Sequence, residues 1–409
     1  MSSGVAATQS PYKNTLGWNL GFSAYWFATS YKWFILLFIL LPTRARELGD
    51  ANNPNSSWGL VLGIGAIIVT LGPPISGRLC ETLGGIWGRH GLWLMMGATI
   101  TAVGAFTVYG ATTYGALIIG FLLLQIGDSI ATGPYAGMVA TTVPSENRGF
   151  ASSVLGGLKL FGQIASAIVA ILFSKHAIII YGAVAGLNLI CAAWTTYTIR
   201  HVPHATVDAE HVKTNFFTDW VAPFKQNDFL FVWLNRFVVA LAFAMVSAFA
   251  LNFLKFAVPS YHLFGKDLGK AETAAQAIAL TISLAGVFGS IYTARVADRI
   301  GRKRLLVISG AMVFVVLFPI GFIRDFTLIW LLVFGFGLGN GIYAAADWAL
   351  VSDILPNIKR AGTDMGVWHS AETVVQLMVA PIGFAIDALN HANAGSGYVG
   401  MCIGSACLF

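Results

Sequence analysis

Eleven long apolar stretches, separated by short polar segments, constrain the fold of this chain more than any other feature. Each runs for 20 to 28 residues, and a helix of about 20 residues crosses the hydrocarbon core of a bilayer. Within lipid, backbone N–H and C=O groups must bond inside their own segment, so each stretch is predicted to be a transmembrane helix. The stretches are 18–41, 58–79, 91–110, 115–141, 149–173, 177–199, 229–256, 273–294, 304–323, 327–352 and 361–387.

The low charge content excludes a water-soluble protein. Charged residues make up 10% of the 409 residues and hydrophobic residues 56%, whereas a soluble domain carries about 25% charged residues. The same composition excludes a disordered chain and a secreted disulfide scaffold. The four cysteines show no C-x-x-C spacing and no histidine partner. They are therefore expected to pack as small apolar side chains and to bind no metal.

Positive charge is distributed unequally between the two sides of these helices. With the N-terminus in the cytoplasm, 14 of the 24 Lys and Arg residues lie in cytoplasmic segments and 7 in outer segments. Because cytoplasmic loops carry the excess of Lys and Arg, this split predicts a cytoplasmic N-terminus. Most of the net charge of +6 is then a topological signal, and no nucleic-acid partner is expected. The first outer loop would hold a glycosylation sequon, Asn55-Ser56-Ser57.

Short motifs recur in the second half of the chain at a nearly constant spacing. Gly88-Arg89-His90 is followed 213 residues later by Gly301-Arg302-Lys303, and Pro144 is followed 212 residues later by Pro356. A spacing of 213 also relates two polar pairs, which are Lys159 with Gln163 and Glu372 with Gln376. A constant spacing at three places indicates an internal duplication.

The longest polar segment, 200–228, divides the apolar stretches into six and five. It is predicted to be a cytoplasmic linker between an N-terminal six-helix half at 1–199 and a C-terminal half at 229–409. The 13 residues from Gly397 to Phe409 provide only ~20 Å of helix, so a twelfth helix is expected to begin there and stop short. The predicted fold is an all-α membrane protein with a 6+6 helix bundle, an architecture typical of transporters.

The segment after the eighth stretch holds an acid and several bases in a short turn. From residue 294 to 304 it reads ARVADRIGRKR, which resembles the G-x-L-A-D-R-x-G-R-K signature loop of the major facilitator superfamily. The resemblance implies loops that pair with helix ends in one conformation and release them in another; a topological anchor is the alternative role. The candidate switch residues are Asp298, Arg299 and Arg302, with Glu81 and Arg89 in the first copy of the loop.

The first copy of this loop is longer than the second. From residue 77 to 90 it reads GRLCETLGGIWGRH, with four residues between Thr82 and Trp87. This spacing resembles the glycoside–pentoside–hexuronide:cation symporters and related sucrose-transporter-like proteins. Two further stretches, at 133–149 and 347–368, resemble the same branch. The resemblance implies transport of a small polar solute such as a sugar or glycoside.

Four ionisable residues inside the predicted helices are candidates for binding the solute or the coupling ion, because a charge at membrane depth costs at least ~2.5–3.5 kcal/mol. For Lys32, a structural ion pair with Asp128 and a substrate role are both open. Arg236 is seven residues into its stretch and is expected to snorkel to the cytoplasmic surface. Asp347 is the first candidate for proton coupling, because a carboxylate in low dielectric can hold a proton near neutral pH. In the resembled fold, the four helices that carry these residues line the central cavity.

Lys159 and Glu372 occupy equivalent repeat positions with opposite charges. We predict that they form a gate between the halves; alternatively, each bonds to the glutamine four residues on, Gln163 or Gln376. His369 shares a helix face with Glu372 at i+3 and is a candidate proton relay, with a structural hydrogen-bonding role as the alternative.

Neither an ATP-driven pump nor an enzyme is predicted. The sequence holds no Gly-x4-Gly-Lys-[Ser/Thr] loop and no catalytic constellation. The resemblance implies proton-coupled symport of a small solute by alternating access, by a monomer in a plasma or organelle membrane, with H⁺ as coupling ion and no cofactor. Two alternatives stay open, namely a proton-coupled exporter of apolar or cationic solutes and a non-transporting receptor or scaffold on the same fold.

Overall fold

The structure is a computed structural model that describes residues 15–83, 85–144, 147–202, 221–354 and 361–409. Within these residues, eleven helices are long and apolar enough to span a membrane. This confirms the predicted number of spans and the all-α fold class. The greater part of the predicted linker, 203–220, lies outside the described residues, so the boundaries of the two halves stay a prediction.

The helices follow one another along the chain with short connections. In the first half they are α1 (Leu16–Ile35), α2 (Leu41–Leu48), α3 (Pro54–Leu83), α4 (His90–Gly110), α5 (Tyr114–Thr142), α6 (Arg148–Leu172) and α7 (Ala177–Thr198). In the second half they are α8 (Asn227–Ala257), α9 (Ala271–Ile300), α10 (Arg302–Ile320), α11 (Phe326–Ile354), α12 (Ala361–Ala392) and α13 (Ser396–Leu408). Short 3₁₀ turns cover Gly85–Gly88 and Ala222–Lys225, and a hairpin of β1 (His262–Leu263) and β2 (Lys266–Asp267) joins α8 to α9.

The first span is longer than the sequence predicts. A five-residue π-helical segment, Leu36–Leu40, joins α1 to α2, so one span covers Leu16–Leu48 rather than 18–41. Pro42 stands in the first turn of α2 and lacks the N–H that would bond to the preceding turn. The wider π turn therefore lies directly where the α-helical hydrogen-bond ladder is interrupted.

Helix positions and packing both repeat. The starts of α4, α5 and α6 precede those of α10, α11 and α12 by 212, 212 and 213 residues. In the first half α1 packs on α6 and α7, α3 on α5, and α4 on α5 and α7; in the second half α8 packs on α12 and α13, α9 on α11, and α10 on α11 and α13. Between the halves, α3 packs on α12 and α6 on α9. The same set of neighbours thus recurs in both halves, as the constant spacing predicts.

The helix connections lie at two opposite ends of the bundle. We call the end at which α1 begins the proximal end, and the opposite end, which holds the α2–α3 and α8–α9 connections, the distal end. The proximal connection from α9 to α10 turns at Gly301, whose φ of 89° lies in the left-handed region that favours glycine. The loop motif thus has a backbone reason for this glycine, besides any role of its charges.

The last helix is short, as expected. α13 has 13 residues and packs against α8, α10 and α12. Cys402 is buried there and Cys407 is exposed, while Cys80 and Cys191 are buried in the first half. Three of the four thus occupy the packing positions predicted for them.

Candidate functional site

Charged side chains meet inside the membrane-spanning helices in two clusters, one in each half. In the first half, Lys32 of α1 is fully buried and its ammonium lies 2.5 Å from the Asp128 carboxylate of α5. Asp128 stands 14 residues from either end of α5, ~21 Å along the axis. An isolated ammonium at that depth is prohibitively costly, so the pair is what permits a buried Lys32.

The second cluster joins three helices of the second half around Arg236. Its guanidinium bonds the Asp347 carboxylate of α11 through Nη1, and its Nη2 lies 2.7 Å from a carboxylate oxygen of Glu372 on α12. Arg236 is only 5% exposed. The snorkelling predicted for Arg236 is therefore wrong, because two carboxylates inside the bundle attract the guanidinium more strongly than the proximal surface does.

Aromatic rings and a histidine complete the second cluster. The guanidinium carbon of Arg236 lies 3.5 Å from the centroid of the Trp368 ring, which is fully buried. His369 Nδ1 lies 3.8 Å from Glu372 Oε2, so these two residues share a helix face as predicted. This proximity suits either a proton relay or a structural contact.

Lys159 faces the second cluster from the first half. Its ammonium lies 4.2 Å from the centroid of the Trp26 ring, and the opposite charge of Glu372 is close enough to interact with it. Lys159 and Glu372 each stand 11 residues from the start of their helices, which places them at equal depth. We call the space bordered by Lys159, Arg236 and Glu372 the central cavity.

The alternative in which glutamines satisfy these charges is not seen in the described part of the chain. There Lys159 has no hydrogen bond and no ion pair, and Gln163 does not bond to it. Glu372 bonds to Arg236 instead of Gln376, whose side-chain oxygen is buried without a partner. In the described residues, neither charge is therefore satisfied by its glutamine, and the gate between Lys159 and Glu372 stays a prediction.

Exposure shows that the central cavity is open. The Glu372 side chain is 54% exposed and that of His369 is 42% exposed, although both lie ~12–16 Å along α12 from its proximal start. Their neighbours Arg236 and Trp368 are buried. A carboxylate can be half exposed between such neighbours only if it borders an opening.

The distal end is closed by a buried polar network centred on Asp387 of α12. Its Oδ1 accepts a bond from the Asn55 side chain at 2.7 Å, and its Oδ2 accepts bonds from the backbone N–H and the hydroxyl of Ser56, both at 2.7 Å. Asn55 also donates to the Tyr398 hydroxyl at 3.2 Å and accepts from Asn252 at 2.9 Å. We call these five residues the distal seal, since they tie the start of α3 to three helices of the other half.

The distal seal corrects one prediction from the sequence. Asn55 is fully buried in the first turn of α3, so the Asn55-Ser56-Ser57 sequon is not an exposed loop and its asparagine is inaccessible to a glycosyl donor. Asp387 closes the last predicted stretch, where a charge is naturally taken as a helix boundary. Its role depends on a partner 331 residues away, which no local pattern reveals.

Other bonds between the halves also lie at the distal end. Arg46 of α2 reaches Glu272 of α9 at 3.3 Å, and Trp58 donates to the carbonyl of Ala248 at 2.7 Å. His391 bonds to Asn53 at 3.0 Å. In the described residues, every hydrogen bond or ion pair that joins the halves belongs to this end. These contacts hold the distal end shut, so the opening beside Glu372 does not lead out through that end.

The predicted switch loops are described only in part. The side chains of Glu81, Asp298 and Arg302 lie outside the described part of the structure. Arg89 immediately precedes α4, and Arg299 is exposed in the last turn of α9. The switching role of these loops therefore stays a prediction.

Taken together, a repeated bundle of helices able to span a membrane, with charges buried inside those helices and one end closed by contacts between the halves, has the build of a membrane transporter. The sequence profile of the Major Facilitator Superfamily matches residues 20–380. The chain belongs to this superfamily, as its loop motif predicted.

Solved structures share this fold over nearly the whole chain. A nucleoside transporter, NupG, aligns with a TM-score of 0.69 at 15% identity, covering 96% of this chain and 97% of that chain. A peptide transporter POT in complex with alafosfalin gives 0.70 at 13% identity, with coverages of 96% and 93%, and a D-xylose-proton symporter gives 0.64 at 16%, with coverages of 96% and 95%. No curated protein sequence matches the chain significantly. At these sequence identities, the similarity shows a shared fold and nothing about the solute.

The Lys32–Asp128 pair predicts a stability effect. Asp128→Asn leaves a buried ammonium without a counter-charge, and we expect a loss of ~3–5 kcal/mol in the free energy of unfolding. The double change Lys32→Met with Asp128→Leu removes both charges and should recover most of that loss. Urea unfolding of the purified protein in detergent measures both. Equal stability of Asp128→Asn and the wild type would show that the pair does not hold the first half together.

The distal seal predicts a difference between two capping carboxylates. Asp387 bonds the Ser56 N–H at the start of α3 across the halves, whereas Asp325 bonds the Leu328 N–H at the start of α11 within one half. Since a hydrogen bond to a charged group contributes ~1.5–3 kcal/mol, Asp387→Ala should favour opening at least about tenfold. Hydrogen–deuterium exchange should rise over residues 54–60 in Asp387→Ala and stay at the wild-type level there in Asp325→Ala. Equal exchange in the two variants would exclude a seal at this position.

Proposed function

We propose that the protein is a secondary transporter that moves a small polar solute together with a proton, by alternating access of the central cavity. The observation that carries the proposal is the second cluster. There, one guanidinium holds two carboxylates inside the membrane-spanning helices, and one of these carboxylates is half exposed. Such a cluster has a site for a proton, because one positive charge does not neutralise two carboxylates.

The two ends of the bundle supply the access cycle. In the described conformation the solute enters or leaves at the proximal end, since the distal seal is closed. Opening the distal end requires the Asp387 bonds and the Arg46–Glu272 pair to break, while the proximal ends of the helices approach one another. The repeated packing of α3 on α12 and α6 on α9 provides two similar contacts about which the halves can rock.

Proton binding gives the cluster two states. With both carboxylates ionised, Arg236 bridges Asp347 and Glu372 and ties α8, α11 and α12 together. A proton on either carboxylate weakens its bond to the guanidinium, because the charge-assisted bond becomes a neutral one. The second half can then rearrange, and this links proton uptake to the change of access.

The proposal also covers the class of solute, the orientation of the protein in the membrane and the branch of the superfamily. The Lys and Arg distribution supports a cytoplasmic N-terminus, which makes the proximal end cytoplasmic. The long loop at 77–90 supports the glycoside–pentoside–hexuronide branch and hence a sugar-like solute. The protein is proposed to act as a monomer in the lipid bilayer, with H⁺ as the coupling ion.

Removing the charge of Asp347 separates coupling from binding. In proteoliposomes that contain a pH-sensitive dye, we expect a transported sugar or sugar acid to drive protons across the membrane with the wild-type protein. Asp347→Asn should reduce this proton flux at least about tenfold while exchange of the labelled solute continues, since exchange needs no net proton movement. Asp325→Asn, at an exposed distal position, is the matched control.

Three results would point to another function. Proton efflux stimulated by apolar cations would indicate an exporter. Binding without flux of any tested solute, unchanged by Asp347→Asn, would indicate a receptor or scaffold. Solute flux that proceeds equally with and without a pH gradient would leave a transporter that is not coupled to protons.

A further inference from the structure

The charges of the two halves do not balance separately. In the first half, Lys32 pairs with Asp128, and in the described residues no carboxylate forms an ion pair with the ammonium of Lys159. In the second half, the guanidinium of Arg236 is shared by Asp347 and Glu372. The described residues of the two clusters thus give the first half a surplus of one positive charge and the second half a surplus of one negative charge.

Lys159 is placed to receive an anion from the central cavity. Its side chain is partly exposed, it makes no hydrogen bond or ion pair in the described residues, and its ammonium lies over the face of Trp26. A ring face compensates a cation only in part. An ammonium inside a membrane-spanning helix that forms no described ion pair therefore gains most from a negatively charged ligand.

The second cluster is placed to receive a proton at the same depth. Glu372 is more than half exposed and meets Arg236 at 2.7 Å, while Asp347 is fully buried behind the guanidinium. The titratable groups around this cluster are Arg236, Asp347, Glu372, His369, Lys159 and Tyr343. One proton on a carboxylate oxygen leaves one guanidinium against one remaining carboxylate, which is neutral.

We infer that the transported solute is a carboxylate-bearing monoanion that binds to Lys159, and that it crosses together with one proton held by the Asp347–Arg236–Glu372 cluster. The anion supplies the charge that the first half lacks, and the proton supplies the charge that the second half lacks. The empty and the loaded cavity are then both neutral, so neither crossing moves net charge. This inference rests on the proposed function and specifies its substrate class.

Matched pairs of solutes test the anion. Glucuronate, galacturonate, gluconate and lactate differ from glucose, galactose, sorbitol and propane-1,2-diol in that a carboxylate replaces a hydroxymethyl group. We expect at least one acid to stabilise the purified protein against thermal unfolding, with its alcohol giving no shift. The inference is overturned if an alcohol stabilises the protein as much as its acid does. It is also overturned if none of the four acids stabilises the protein.

Substitutions at Lys159 locate the binding site. We expect Lys159→Met to raise the apparent Kd of the stabilising acid at least about tenfold, and Lys159→Arg to keep it within a few-fold, because the arginine retains the positive charge. Lys175→Met, at an exposed lysine just beyond α6, is the control and should leave the Kd unchanged. An unchanged Kd in Lys159→Met overturns the assignment of the anion site to Lys159. Tighter binding of alanine than of lactate would indicate a zwitterionic solute and overturns the monoanion.

Flux measurements keep the two proposals distinguishable. For the stabilising acid, we expect uptake driven by a pH gradient and unchanged by a membrane potential imposed with K⁺ and valinomycin. Binding that depends on Lys159 but moves no protons would uphold the anion site and refute proton coupling. Proton flux driven only by uncharged sugars would uphold the proposed function and refute the anion. Glu372→Gln should retain acid binding and lose its dependence on pH.

Discussion

The cost of holding charges away from water organises this membrane protein. A lone charge at mid-depth costs several kcal/mol, and the described structure answers that cost differently in its two halves. Lys32 and Asp128 form a closed pair that satisfies both partners. Arg236 instead gathers two carboxylates and a tryptophan face, so the second half keeps an unbalanced charge where the central cavity reaches it. The two halves thus differ in that the first closes its buried pair and the second leaves one carboxylate in excess.

The distal seal follows a different rule. Asp387 accepts its three described bonds from neutral donors on Asn55 and Ser56, all at the start of α3, where the helix dipole favours a negative charge. A bond of this kind holds a carboxylate without a fixed counter-ion, so the halves can separate without leaving a cation stranded in the membrane. The ion pair that assists it, Arg46 with Glu272, is partly exposed at the rim, where water can replace either partner.

The sequence predicted the spans well because hydropathy is a local property. It also placed Lys32, Asp128, Arg236 and Asp347 at membrane depth. It did not predict where Arg236 points or what Asn55 does, because both depend on residues more than 100 positions away. Snorkelling and a loop sequon are sound expectations for an isolated helix, and tertiary partners override them. The Leu16–Leu48 span was underestimated for a local reason, since Pro42 is usually taken as a helix end, whereas here a π turn carries the helix through it.

Under the proposed alternating access, charge must meet a condition that the two halves satisfy jointly. A carrier that reorients empty and loaded needs a neutral cavity in both states, since moving a net charge through low dielectric adds to the barrier. Lys159 and Glu372 carry opposite charges at equal depth on repeat-related helices. In the proposed cycle, these charges attract each other when the cavity is empty and part when an anion and a proton occupy it. The gate predicted from the repeat and the proposed binding site would then be the same two residues in two states of the cycle.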